Sequence, residues 1–302
     1  MTIDLLLKQA RENINAVEGS KGRVKDAHVK AAESLLDQVI EADKKNPTAY
    51  VWKGVLKFRL KDYTGSIEDF TRALRLDPDE SNVLNWRGVA YRYLDKPKKA
   101  LADFTRSLKS DPGNPKTLYY RGVAYAELGR FKKAKVDLTK AIILDPENTI
   151  AYCELGFVLT KLSEYSDAVN VLTKAIGFEP KIAANYINRG TAFHKLGRHD
   201  KAIADYKKAI KLDPKIIQIH AAIGDALRLS GKPKEANAKY DLVLADIDND
   251  KIGERERYIG AVLAARGLRE LGKEVTRDYA KEAVQKGILT KKEVDEFLEH
   301  KS

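Results

Sequence analysis

The chain has 302 residues, 43% hydrophobic and 33% charged, with a net charge of +11, a balance that excludes a disordered polymer and leaves either two compact domains or one elongated repeat array. Its one cysteine, Cys153, excludes a disulfide framework and a cysteine-based metal site. No apolar run reaches membrane-spanning length and no basic stretch leads into an apolar one after Met1, so the expectation is a soluble, cytoplasmic protein without a membrane partner.

Taken in chain order, residues 3–17 and 26–43 carry two amphipathic helical patterns joined by a glycine-containing loop, Glu18 to Val24. Ala32, Leu36 and Val39 have the spacing of small and bulky residues that recurs from residue 47 onward. Residues 1–46 are therefore expected to form a degenerate N-terminal helical hairpin.

From residue 47 the chain repeats itself every 34 residues. Glycine recurs at Gly54, Gly88, Gly122, Gly156, Gly190 and Gly224 without insertion or deletion, and proline at Pro78, Pro112, Pro146, Pro180 and Pro214, with Asp248 in the sixth unit. Small residues follow at Ser66, Ala100, Ala134, Ala168, Ala202 and Ala236. Within each unit a helical pattern such as 115–128 is broken at Leu-Gly-Arg, and a second one, Lys132 to Asp145, ends before proline, whose predecessor avoids the α conformation. Glycine in one helix and alanine in the other permit close approach; a bulky residue at Gly122 or Ala134 should cost roughly 1 to 3 kcal/mol. One hairpin cannot bury its apolar face alone, so neighbouring units must stack.

These residues resemble the tetratricopeptide repeat, and the resemblance covers residues 47–250 as six units: 47–80, 81–114, 115–148, 149–182, 183–216 and 217–250. Bulky residues agree with it at the fourth place (Tyr50, Leu84, Leu118, Tyr152, Tyr186) and the twenty-fourth (Phe70, Phe104, Leu138, Leu172, Tyr206, Tyr240). It departs where Lys57 replaces a first-helix aromatic and where Pro97 and Pro233 stand at a common aromatic place. The resemblance implies an all-α, right-handed α-α superhelix, or solenoid, of helix-turn-helix repeats whose first helices line the concave side.

The seventh and twenty-third places change together. Arg87 accompanies Asp103, Arg121 accompanies Asp137, Arg189 accompanies Asp205 and Lys53 accompanies Asp69; the fourth unit has Leu155 with Val171, and the sixth, Ile223 with Lys239, breaks the rule. The expectation is an ion pair joining the two helices of each charged hairpin. Beyond 250 the frame is lost, yet helical patterns continue over 253–271, 275–286 and 291–300, with Gly287 ending one helix and Thr290 and Glu293 forming a capping box. Residues 251–302 read as a polar C-terminal helical cap.

Nothing in the chain reads as catalytic. His28, His194, His199, His220 and His300 offer no pair at ligand spacing on one helical face, and the segment from Gly224 to Pro233 lacks the spacing, the strand and the hydroxyl residue of a phosphate loop. No serine or cysteine lies in a nucleophile motif, so neither a cofactor nor a metal is expected and the protein is read as a non-enzyme.

The second, fifth, ninth, twelfth and thirteenth places of each first helix are not needed by the hairpin core and should face the groove. They are Asn82, Asn85, Val89, Arg92 and Tyr93 in the second unit; Lys116, Tyr119, Val123 and Glu127 in the third; Cys153, Phe157, Thr160 and Lys161 in the fourth; Ile187, Thr191, His194 and Lys195 in the fifth; and Gln218, Asp225 and Arg228 in the sixth. Apolar and aromatic contacts interleaved with amides and cations suit a peptide or helical segment of a partner, which makes the chain a protein-interaction scaffold or adaptor. The lysine and asparagine set with which some tetratricopeptide domains grip chaperone C-termini is missing. The alternatives are binding of nucleic acid or an acidic protein through the basic surface of the second, third and fifth units, which carry +4, +3 and +5, and self-assembly into a homo-oligomer through an end or the groove.

Overall fold

Prolines and left-handed turns set the helix boundaries. In a computed structural model describing residues 2–216, 218–245, 247 and 253–299, these residues fold into α-helices with no strand among them. The hairpins in order are α1 (Ile3–Gly19) with α2 (Gly22–Ala42), α3 (Pro47–Arg59) with α4 (Tyr63–Leu76), α5 (Ser81–Tyr93) with α6 (Pro97–Ser110), and α7 (Pro115–Glu127) with α8 (Phe131–Leu144). They continue as α9 (Thr149–Lys161) with α10 (Tyr165–Phe178), α11 (Ala183–Lys195) with α12 (His199–Leu212), and α13 (Gln218–Leu229) with α14 (Pro233–Ala245), followed by α15 (Glu254–Glu270), α16 (Tyr279–Gln285) and α17 (Lys291–Glu299). Asp248 and His300 lie outside the described residues.

The residue before each repeat proline, Asp77, Asp111, Asp145, Glu179 or Asp213, leaves the helical region with ψ between 81° and 94°. Pro97 sits in the first turn of its helix, where a missing N–H is harmless. The turn inside each hairpin places one residue in the left-handed region: Lys61, Asp95, Gly129, Ser163, Gly197 or Gly231. At the N-terminus α2 starts at Gly22, four residues earlier than the pattern predicts. Gly22 has φ +54°, so the chain reverses through Ser20 and Lys21 instead of a long loop.

Packing divides the chain into residues 1–151 and 152–302. The first unit is a stack of hairpins whose core includes Ile14, Leu36, Leu56, Phe70 and Leu84. The second is built on Tyr186, Tyr206, Ile223 and Tyr240, with a separate cluster of Tyr258, Val262, Tyr279, Leu289 and Val294 joining α15 to α16 and α17. The repeat glycines seat the bulky twenty-fourth residue of their own hairpin: a Cβ at Gly88 would lie 2.5 Å from the Phe104 ring, and one at Gly122 would lie 2.8 Å from Leu138.

The interhelical ion pairs form. Arg87 forks onto Asp103 at 2.8 and 2.7 Å, Arg121 onto Asp137 at 2.6 and 2.8 Å, and Arg189 onto Asp205 at 2.8 Å twice. All three carboxylates are buried. The hydrogen bonds to Asp137 and Asp205 hold the Arg121 and Arg189 guanidiniums above their usual pKa against the opposing effect of burial. Arg87 and Arg189 also reach Thr71 and Thr173 of the preceding hairpin at 3.1 Å.

The first repeat corrects the expected pairing. Lys53 turns to Asp37 of α2 at 2.6 Å, and Lys57 takes Asp69 at 2.6 Å. Lys57 stands where Tyr91, Tyr125 and Phe193 stand in other repeats, so the space a ring would fill is open to a flexible amine. In those other repeats the ring lies between two cations. Arg87 and Lys99 approach Tyr91, Arg121 and Lys133 approach Tyr125, and Arg189 and Lys201 approach Phe193, at 5.6 to 6.0 Å.

Candidate functional site

In residues 1–151 the first-helix face of α5 and α7 encloses a hollow of about 780 Å³. The expected residues Asn82, Asn85, Val89, Arg92, Tyr93, Lys116 and Tyr119 line it, joined by Phe58, Trp86, Asn114, Tyr120 and Ile150. Its floor is aromatic. Phe58 meets Trp86 edge-on at 5.2 Å and Tyr93 at 5.6 Å, Tyr93 stacks on Tyr63 at 4.6 Å, and Tyr119 leans on Tyr120 at 5.2 Å. Tyr93 remains 62% exposed, leaving a ring face for a ligand.

Phe58 falls on the twelfth place of the first repeat and so on the expected stripe, whereas Trp86 and Tyr120 lie outside it. The signal was present at the sixth place, which reads Trp52, Trp86 and Tyr120 in the first three repeats but Glu154, Asn188 and Ala222 in the others. The polar wall is organised by contacts between successive first helices. Asn85 donates to the buried Thr117 hydroxyl at 2.7 Å, and Arg92 engages Glu127 at 2.6 to 3.2 Å. Asn82 bonds Glu80 at 3.0 Å at the rim, while Val123 is buried outside the hollow's lining. Burial pushes the Tyr120 hydroxyl pKa up, with Arg92 pulling the other way, so this phenol stays neutral between amides and cations.

In residues 152–302 the corresponding side chains answer to their own chain. Thr160 and Thr191 bond the carbonyls of Gly156 and Ile187 at 2.9 Å, Ile187 packs on the core, and the Lys161 ammonium lies 5.5 Å from the centre of the Phe157 ring. His194 and His199 meet edge to face at 5.1 Å across the hairpin turn, closer than the sequence implied. Burial, reinforced by His199, pushes His194 down to about 4, so this imidazole is neutral at pH 7.

The C-terminal helices take the last two expected groove residues. Asp225 accepts from Tyr240 at 2.7 Å and from Arg266 of α15 at 2.6 Å, and Arg228 pairs with Glu270 at 2.5 Å. Gly267 makes that approach possible, since a Cβ there would run into Tyr240. Burial raises the Cys153 thiol above its usual pKa, partly offset by the neighbouring Asn185 amide, which leaves it protonated. Among the described residues no three metal-ligating side chains come together, and no helix is long and apolar enough to cross a membrane.

Models of the tetratricopeptide repeat match residues 22–81, 81–114, 115–148 and 183–216, together more than half of the chain. No curated protein matches. Among solved structures, one of MamA is 29% identical, covering 54% of this chain and 96% of its own, with a TM-score of 0.51. MamA from Desulfovibrio magneticus RS-1, residues 41 to the end, is 25% identical over 57% of this chain and 98% of its own, with a TM-score of 0.54. YrrB, described as a tetratricopeptide protein with an unusual peptide-binding site, shares the fold at 21% identity and a TM-score of 0.55, covering 65% of this chain and 97% of its own.

Proposed function

This chain belongs to the tetratricopeptide repeat family, a family of protein-interaction scaffolds, and we propose that it acts as an adaptor holding a peptide or helical segment of a partner protein on the first-helix face of α5 and α7. The observation carrying this reading is the aromatic-floored hollow of about 780 Å³. Apolar and aromatic side chains of a ligand would enter against Trp86, Val89 and Tyr119. Asn82, Asn114 and Lys116 stand at its edge as donors for carbonyls and a carboxylate.

The domain organisation we assign is an N-terminal hairpin over 1–46, six repeats over 47–250 and a helical cap over 251–302. Phe157 and Ile187, beyond residue 151, offer lesser apolar contacts, whereas Asp225 and Arg228 serve the cap. The role is binding rather than catalysis, and a reducing, cytoplasmic setting suits the one half-buried thiol.

The test is to select peptides from a displayed random library and titrate them while following Trp86 fluorescence in a Trp52→Phe background. A Tyr93→Ala, Tyr119→Ala and Lys116→Ala triple variant should weaken binding about a hundredfold, since buried aromatic anchors dominate such interfaces. Equal binding by the folded triple variant would remove the groove from consideration.

A further inference from the structure

The outer helices of the second and third repeats carry an asymmetry of charge created by the fold. Within α6 the charged residues are Lys98, Lys99, Asp103, Arg106 and Lys109; within α8 they are Lys132, Lys133, Lys135, Asp137 and Lys140. Each helix has one carboxylate, and it is the one buried beneath the first-helix arginine. The solvent sides of α6 and α8 therefore display cations and no acid. The nearby acids stand at the turns: Asp79, which pairs with Arg106 at 3.1 Å, and Asp95, Asp111, Asp145 and Glu147.

Both helices also bring apolar side chains to solvent. Val136, Ile143 and Leu144 of α8 are 54%, 68% and 52% exposed. The equivalents of Ile143 in the other repeats are Arg75, Lys109, Gly177, Lys211 and Ala245. On α6, Leu101, Ala102 and Thr105 line a hollow of about 640 Å³ with Lys98, Lys109, Tyr125 and the Asp79–Arg106 pair. Exposed aliphatic side chains at helical spacing, set among lysines on two helices that expose no carboxylate of their own, with Asp79 already paired to Arg106, are an imprint of opposite chemistry.

We propose that the outer face of α6 and α8 docks an acidic amphipathic segment of a partner protein. Its carboxylates meet Lys98, Lys132 and Lys140, and its apolar side chains cover Val136 and Ile143 and enter the hollow on α6. A nucleic-acid backbone would use the cations but gain nothing from covering aliphatic surface, and the nearby rings, Tyr91 and Tyr125, already lie beneath Lys99 and Lys133 rather than open for base stacking. A flat lipid surface would leave the hollow unfilled. This face belongs to α6 and α8 whereas the peptide hollow belongs to α5 and α7, so the chain can hold two partners at once.

The experiment uses the full chain and fluorescence anisotropy with a labelled helical peptide bearing glutamates on one face and leucines on the other. Its composition-matched scramble, a labelled oligouridine and phosphatidylcholine–phosphatidylglycerol vesicles serve as comparators. The patterned peptide should bind about tenfold or more tightly than the scramble and weaken with added salt. Combined Lys98→Glu, Lys132→Glu and Lys140→Glu should abolish binding. Val136→Ser with Ile143→Ser, both exposed and so harmless to folding by circular dichroism, should weaken it about fivefold or more. Tyr93→Ala with Tyr119→Ala should leave it unchanged. Equal binding of peptide and scramble, indifference to charge reversal, or oligouridine or vesicle binding that survives the serine substitutions would overturn the proposal.

Discussion

On the first-helix face of residues 1–151 aromatic rings prop open a hollow, whereas in residues 152–302 the equivalent places close on hydroxyl, imidazole and ion-pair contacts within the chain itself. Both stretches obey the same 34-residue frame of glycine, alanine and proline. The difference lies in places the frame leaves open. Trp86 and Tyr120 in one unit give way to Glu154, Asn188 and Ala222 in the other, and α15 adds a set of partners that no repeat supplies. A shared frame thus fixes the hairpin, and the residues outside it decide whether a face is available or occupied.

The largest expected effect tests what the two units share. Asp137→Ala in one and Asp205→Ala in the other should each cost about 3 to 5 kcal/mol in urea denaturation, because each strands a mostly buried guanidinium. A loss in only one unit would mean that the ion pairs are not equivalent despite matching geometry. Removing what separates the units comes next. Arg266→Ala deprives the largely buried Asp225 of its cation and should cost about 2 kcal/mol. Amide exchange across residues 254–270 should then quicken, and unchanged protection would show that apolar packing alone holds α15.

A pH effect should be confined to the second unit's face. The folded-state pKa of His194 is pushed to about 4 by burial and by His199, with Lys195 and Arg228 adding to the shift and Asp225 opposing it. An unfolded histidine titrates near about 6.5, so the unfolded chain takes up the proton first and stability falls as pH drops from about 6.5 to about 4. Melting temperature against pH should flatten over that window in His194→Gln. The smallest effect is a gain: Lys61→Gly and Ser163→Gly, one per unit, relieve φ values of 64° and 61° and should raise stability by up to about 1 kcal/mol.

Much of the architecture is legible in the chain alone. The period located the hairpins from α3 to α14, the covariation of the seventh and twenty-third places located the three arginine forks, and Thr290 with Glu293 forms its capping box at 2.8 and 3.2 Å. The features that escaped have a common cause. Lys57 rather than Lys53 reaches Asp69, Asp225 and Arg228 answer to α15, and Trp86 and Tyr120 complete the hollow. Each depends on a neighbour far along the chain or on which of two side chains has room to extend.

The sequence by itself determined the repeat, its helix ends and the internal salt bridges, because these arise from backbone conformation and from spacings repeated every 34 residues. Only the tertiary structure decided which exposed places remain open to a partner, since that is settled by side-chain volume and charge meeting across stacked helices, where no periodicity in the chain records the outcome.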